Sequence, residues 1–229
     1  MYQLRIGVGD IRSKPMFESE RETQVVFGER FELLERGEAY SLIETEEHVR
    51  GYVKTRIITD FTKKKYKLRR FHSNSEIKLP FGSYLSTEEV EKYEIPDGKL
   101  VKISKNDFSI CELSKEFIGV PYLWGGTSEF GYDCSGFVQR LYKFNGIKIP
   151  RNSRSQRDFT DTIETFEDAQ PGDLVFFKGH VGLYLGDGNM IHANGNSASV
   201  SINNLFDGSE YSKSLHKIFE KIGRVNKSL

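Results

Sequence analysis

Short runs of alternating apolar and polar residues fill the first sixty positions. Leu4, Ile6 and Val8 alternate with polar or small neighbours. Gln24–Phe27 and Phe31–Leu34 flank the turn pair Gly28-Glu29, and Ala39–Glu44 and Gly51–Val53 follow. Side chains of a strand point to opposite faces in turn, so this period predicts half-buried strands. Five of them, with turns roughly every eight to twelve residues, predict a small β-barrel over residues 1–60. Over residues 61–108 the pattern is looser. Leu79–Leu85 and Lys99–Ile103 read as strands, and Ser86-Thr87-Glu88-Glu89 reads as the capping box of a short helix. A second, shortened barrel fits this stretch, and an elaborated linker is the alternative.

From about residue 109 the period changes. Cys111–Ile118 reads as a helix that Gly119 ends. Phe137, Val138, Leu141, Tyr142 and Phe144 recur at helical spacing after Cys134, and Gly146 is a plausible stop. Beyond a polar stretch come three strand-like runs, Leu174–Phe177, Val181–Leu185 and Asn189–Ala193. A helix followed by antiparallel strands is an α+β layout, here over residues 109–229.

Composition removes several function classes. Lys+Arg and Asp+Glu are equal at 33 each, which argues against a uniformly basic nucleic-acid binder. The run Lys63-Lys64-Lys65, Lys67, Arg69-Arg70 reads as a solvated face or linker, with contact to an anionic polymer as the sharper reading. The two cysteines, Cys111 and Cys134, are too few for a disulfide scaffold and read as free thiols, Cys111 as a small buried apolar residue. No apolar run has the length of a membrane span, and Met1–Arg5 lacks the regions of a signal peptide. The expected location is therefore the cytoplasm as the sequence stands, or the cell wall or exterior if an export signal has been removed.

The chemistry concentrates around Asp133-Cys134-Ser135-Gly136. A cysteine in the first turn of a helix meets the positive end of the helix dipole, which favours its thiolate. Histidines His180 and His192, on separate strands, supply a base and a group to orient it. Their cooperation depends on the hairpin at Gly186-Asp187-Gly188. A two-residue turn would pair Leu183 with His192 and put the two histidines on opposite faces. A three-residue loop would pair Gly182 with His192 and put them together. Zinc is disfavoured because no paired Cys-x-x-Cys or His-x-x-x-His spacing is present, and no cofactor is expected.

Four motifs carry a family resemblance. They are Tyr122–Gly126 with Asp133–Gln139, Pro171–Phe177, His180–Tyr184 and Ile191–Ala193, in that order. Together, over about residues 112–225, they strongly resemble the NlpC/p60 cysteine peptidases. The first sixty residues resemble a bacterial SH3-like domain through Asp10–Arg12, Pro15, Glu20–Gln24, Gly28-Glu29 and Gly51–Val53. The resemblance implies a papain-like catalytic domain behind one or two SH3-like barrels. It implies Cys134 as nucleophile, His180 as base and His192 as the third polar member.

The family reading further implies cleavage of peptidoglycan stem peptides between γ-D-glutamate and a diamino acid, meso-diaminopimelate or lysine. Members with N-terminal SH3-like domains use the acidic residue before the cysteine, here Asp133, to hold the substrate's free L-alanine ammonium. Tyr122, Ser135 and Ser153 match substrate-contacting positions, and Glu18, Glu20 and Tyr52 are the candidates from the N-terminal barrel. Asp133 also has the chemistry of a helix N-cap, and Trp124 reads as a structural wall of its loop. The expected partners are murein stem peptides in wall-peptide recycling, with no nucleic acid and no membrane insertion. Alternatives are an exported wall-lytic endopeptidase that grips intact peptidoglycan through its SH3-like domains, an acyltransferase using an amine as acceptor, and an idle wall-binding module.

Overall fold

The computed structural model describes residues 1–226, which form two compact units. One comprises Met1–Asn106 with Trp124–Phe130, the other Asp107–Leu123 with Gly131 onward.

The first unit opens with seven strands: β1 (Tyr2–Leu4), β2 (Val8–Arg12), β3 (Arg21–Val26), β4 (Phe31–Glu35), β5 (Tyr40–Thr45), β6 (Arg50–Lys54) and β7 (Ile58–Asp60). They make one antiparallel sheet in the order β3-β2-β6-β5-β4-β1-β7. The alternation seen in the sequence becomes burial here. Leu4, Ile11, Val25, Phe31, Ile43 and Val53 form its core. A closed barrel was expected, but among the described residues no strand pairing joins β3 to β7, so the ladder stays open. Two strands exceed the expected five because Tyr2–Leu4 and Ile58–Asp60 pair with each other, a match invisible in either segment alone.

The unit continues with β8 (Tyr66–Leu68), β9 (His72–Ser73), β10 (Lys78–Leu79), β11 (Tyr84–Leu85), α1 (Thr87–Lys92) and β12 (Leu100–Lys102). The expected strand over Leu79–Leu85 is broken in the middle, since Gly82 at φ 82° turns the chain between β10 and β11. The capping box is present: Ser86 caps α1 and Glu89 reaches back to the Ser86 amide. The basic run is only in part a solvated face: Lys63, Lys65 and Arg70 are exposed, whereas Lys64 and Lys67 are enclosed. Lys64 donates to Glu89 at 2.6 Å with a side chain only 4% exposed, and Lys67 is buried against Asn106 at 2.7 Å. Burial makes these two lysines part of the unit's framework, held by partners that offset lost hydration.

The segment Trp124–Phe130 belongs to this unit and carries β13 (Thr127–Ser128). Gln24 accepts from the Thr127 amide at 3.0 Å, and Arg21 donates to the Trp124 carbonyl at 2.9 Å. Gly125 at φ 74° has the Arg21 carbonyl oxygen 2.3 Å from where a Cβ would sit, so only glycine fits.

The second unit contains α2 (Ile110–Lys115), β14 (Gly131–Tyr132), α3 (Cys134–Phe144) and α4 (Ser153–Phe159). After these come β15 (Asp161–Ile163), β16 (Leu174–Phe177), β17 (His180–Gly186), β18 (Asn189–Asn194), β19 (Ser199–Asn204), α5 (Glu210–His216) and β20 (Phe219–Arg224). Six strands form an antiparallel sheet in the order β15-β20-β16-β17-β18-β19, and α3 packs on β17 and β18. Phe137, Val138, Leu141 and Phe144, the helical run read from the sequence, are all buried, and Gly146 at φ 74° follows the helix end. Cys111 is half-buried on α2, and its thiol donates to the Tyr184 carbonyl at 3.7 Å.

Candidate active site

Cys134 opens α3 and is buried. The residue before it, Asp133, is the N-cap: extended backbone with its carboxylate accepting from the Gly136 amide at 2.6 Å. This fixes where the helix starts and therefore where the sulfur points. Burial pushes the Cys134 thiol up to about 11, and the neighbouring Asp133 charge pushes the same way. The Val181 and Ser135 amides and Arg151 pull in the opposite direction. The Val181 amide reaches the sulfur, so Cys134 lies against the start of β17, next to His180.

The hairpin between β17 and β18 follows neither simple count. Asp187 and Gly188 do make a two-residue turn, both with positive φ (52° and 75°), closed by the pair Gly186–Asn189. One extra residue is then inserted between Tyr184 and Gly186, after which Tyr184 pairs with Met190 and Leu183 with Ile191. The bulge shifts the register by one and so restores the parity of a three-residue loop. His180 and His192 consequently share a face, with His180 Nε2 and His192 Nδ1 2.6 Å apart.

The protonation pattern follows from the next contact. His192 Nε2 lies 3.0 Å from Asn203 Oδ1, which also accepts from the Ser201 hydroxyl at 3.3 Å. An amide oxygen only accepts, so His192 carries its proton on Nε2 and offers a lone pair at Nδ1. His180 must then donate through Nε2, which leaves its Nδ1 as the basic nitrogen. Burial lowers the pKa of His180 to about 3, with the His192 ring adding to the effect, and that of His192 to about 4. His192 is wholly buried, while His180 keeps an exposed edge. The resting site is therefore neutral, a thiol beside two uncharged imidazoles. Tyr211 of α5 stacks on the His192 ring at 6.1 Å and 28°.

The same unit holds Tyr122, Ser135 and Ser153, of which Tyr122 and Ser135 lie beside Cys134 and Asp133. Tyr122 is half-buried, and its phenol is pushed up to about 12 by burial and by the adjacent Cys134 and Asp133. Ser135 is buried in the first turn of α3, its hydroxyl 3.2 Å from Asp133 Oδ1. Ser153 is the first residue of α4. The Asp133 carboxylate pairs with Arg151 through two nitrogens, at 2.6 and 3.0 Å.

Glu20 and Tyr52 belong to the other unit. Glu20 is exposed and accepts from Trp124 Nε1 at 3.0 Å, and Glu18 is exposed nearby in sequence. Tyr52 is half-buried on β6, paired with Leu42 and Arg12. Trp124 is 63% exposed. Sequence reasoning missed Asn203, Tyr211, Gln156 and the role of Arg151. The alternation Ser199-Val200-Ser201-Ile202-Asn203 held a signal for Asn203, since it marks a strand with one polar face.

Residues 119–219 match the NlpC/P60 family. The chain carries an NlpC/P60 domain. A gamma-D-glutamyl-L-lysine dipeptidyl-peptidase of Bacillus cereus is 36% identical over 156 residues, covering 57% of this chain and 46% of the relative. A probable endopeptidase p60 of Listeria seeligeri is 44% identical over 92 residues, covering 38% of this chain and 17% of the relative. The chain thus spans less than half the length of these curated relatives. A crystal structure of an NlpC/P60 family protein from Bacillus cereus superposes with a TM-score of 0.78 at 20% identity, covering 98% of this chain and 99% of that one. At that identity the match speaks to the fold. Cys134, His180 and His192 all fall within the matched NlpC/P60 span.

Proposed function

We propose that the protein is a cysteine endopeptidase acting on peptidoglycan stem peptides at the bond between γ-D-glutamate and a diamino acid, meso-diaminopimelate or lysine. The observation that carries this reading is the Asn203–His192–His180 relay beside a cysteine at a helix N-terminus, inside an NlpC/P60 domain. In the reaction, His180 Nδ1 takes the thiol proton as Cys134 Sγ attacks the γ-carbonyl carbon. The same proton passes to the departing amine as the C–N bond breaks, leaving a thioester. Water then attacks the thioester, His180 accepting its proton and returning it to the sulfur. The proton transfer accompanies attack, because burial disfavours both a standing thiolate and a standing imidazolium.

A requirement for a free N-terminal L-alanine belongs to this proposal. The name dipeptidyl-peptidase on a relative supports a site that counts two residues from an N-terminus. Asp133 would receive the substrate ammonium while sharing its carboxylate with Arg151, and Tyr122, Ser135 and Ser153 would line the same subsite. The seven-stranded sheet with its alternating core supports reading the N-terminal unit as SH3-like. Recycling of liberated wall peptides is the corresponding role. The relative named probable endopeptidase p60 favours a second reading, a wall-lytic enzyme.

The test is hydrolysis of L-Ala-γ-D-Glu-diaminopimelate, its lysine counterpart, the N-acetylated forms and intact sacculi. Cleavage of the free peptides and loss of activity in Cys134→Ala are expected. Undiminished turnover by Cys134→Ala sinks the reading. Equal rates on acetylated and free peptides refute the amine requirement, and release from sacculi favours the lytic role.

A further inference from the structure

The residues on either side of the nucleophile are both held from α4 and the segment that leads into it. Arg151 forks onto Asp133, with Nη2 to Oδ2 at 2.6 Å and Nη1 to Oδ1 at 3.0 Å. Its Nη1 also donates to the Ser135 hydroxyl at 2.9 Å. Gln156, fully buried, donates through Nε2 to the Ser135 carbonyl at 3.0 Å and to the Pro150 carbonyl at 2.8 Å. Both of its partners are carbonyl oxygens, which fixes the amide's orientation.

The Asp133–Arg151 pair is almost wholly enclosed, the side chains being 11% and 3% exposed. A carboxylate one residue from the reacting sulfur opposes formation of a second anion there, and the opposition grows as water is excluded. An N-cap asparagine or serine would start the helix equally well without that charge. The cost of using aspartate is removed by a guanidinium that cannot deprotonate and whose planar fork matches the carboxylate.

We propose that Arg151 is a positioning residue for the reaction proposed above. It cancels the Asp133 charge beside Cys134 and, with Gln156, locks the turn that aims the sulfur, so that negative charge can develop on Cys134 during attack. Other titratable groups facing the sulfur are the phenols of Tyr122 and Tyr211 and the neutral His180–His192 pair. The phenols are pushed up and the imidazoles pushed down, so none of them supplies the cancelling cation.

The experiment measures alkylation of Cys134 by iodoacetamide against pH, in a Cys111→Ser background so that one thiol reports. Arg151→Met should raise the alkylation midpoint by about one pH unit or more, which is roughly a tenfold loss of thiolate at neutral pH. Arg151→Lys, which keeps the charge and loses the fork, should move it by less than half as much. Adding Asp133→Asn to Arg151→Met should return the midpoint to within about 0.3 unit of the parent, since both charges then leave together. A rescue of that kind separates charge cancellation from a general packing role. An unshifted midpoint in folded Arg151→Met overturns the proposal, and so does a double variant that stays as shifted as the single. If Arg151→Met does not fold, Asp133→Asn alone decides: a lowered midpoint supports the proposal and an unchanged or raised one refutes it. No substrate enters these measurements, so failure to cleave stem peptides would count against the proposed reaction and leave the alkylation result standing.

Discussion

Asn203 Oδ1 lies 3.0 Å from His192 Nε2, and this contact decides which nitrogen of His180 is free to accept a proton. Replacing Asn203 with leucine removes the acceptor and lets His192 take the other tautomer, in which its Nδ1 is protonated and confronts His180. Such orienting partners are typically worth about 10- to 100-fold in activity. Asn203→Leu is expected to lower kcat by that order with KM nearly unchanged, and Asn203→Asp to recover part of the loss. Steady-state kinetics on a stem peptide checks this, and a change confined to KM would contradict it.

The bulge in the β17–β18 hairpin gives a second expectation. Deleting Leu185 removes the extra residue but leaves Gly186 opposite Asn189, Tyr184 opposite Met190 and Leu183 opposite Ile191, so the deletion keeps His180 and His192 on one face. Retained peptidase activity is expected, together with the circular dichroism of a folded protein. Loss of all activity in a folded deletion variant would show that the bulge itself, and not the pairing register, aligns the histidines.

Acid should destabilise this domain through its histidines. Both imidazoles titrate lower in the folded protein than the ordinary value of 6.5. Between the folded and unfolded values the unfolded chain binds more protons, so stability falls as pH drops below 6.5. Each group contributes a slope of at most about 1.4 kcal/mol per pH unit in that window. Urea midpoints measured from pH 7 to 4 should decline, and less steeply in a His180→Asn/His192→Asn variant. Parallel declines would remove the histidines as the cause.

Close packing at Gly182 yields a fourth test. A Cβ there would come within 2.4 Å of two side-chain atoms of Met190, the residue beside Ile191 on the neighbouring strand. Overpacking of this kind costs about 1–3 kcal/mol. Gly182→Ala should lower the thermal midpoint by several degrees, and the same substitution should cost much less when made in a Met190→Ala background, where the clash is absent.

The catalytic half of the fold was more legible than the first half, for physical reasons. The helix after Cys134 and the strands around His180 and His192 each carry their period within one continuous stretch. The N-cap at Asp133 and the capping box at Ser86 are equally local, and both are present in the structure. What the sequence hid depends on distant pairing. β20 enters the sheet between β15 and β16 with the pattern Phe219-Glu220-Lys221-Ile222, which has no clear alternation. The Arg151 fork spans 18 residues, and a buried arginine looks like any other in a list of letters. The hairpin parity was posed correctly as a question of register, but a turn rule alone could not show that a two-residue turn with a bulge gives the same parity as a three-residue loop. Lys64 and Lys67 were misread because a charge run gives no sign of which members have buried partners.

The strand Phe219–Arg224 lies inside the sheet, with Asp161–Ile163 on one side and Leu174–Phe177 on the other. During synthesis the ribosome delivers Cys134, His180 and His192 before this strand exists. Until it does, Leu174–Phe177 has a bare edge, and the strand that presents His180 rests on a neighbour that is itself unsupported on its far side. The thiol therefore leaves the ribosome well before the machinery that activates it can be assembled, and a nascent chain carries the nucleophile in a dormant form.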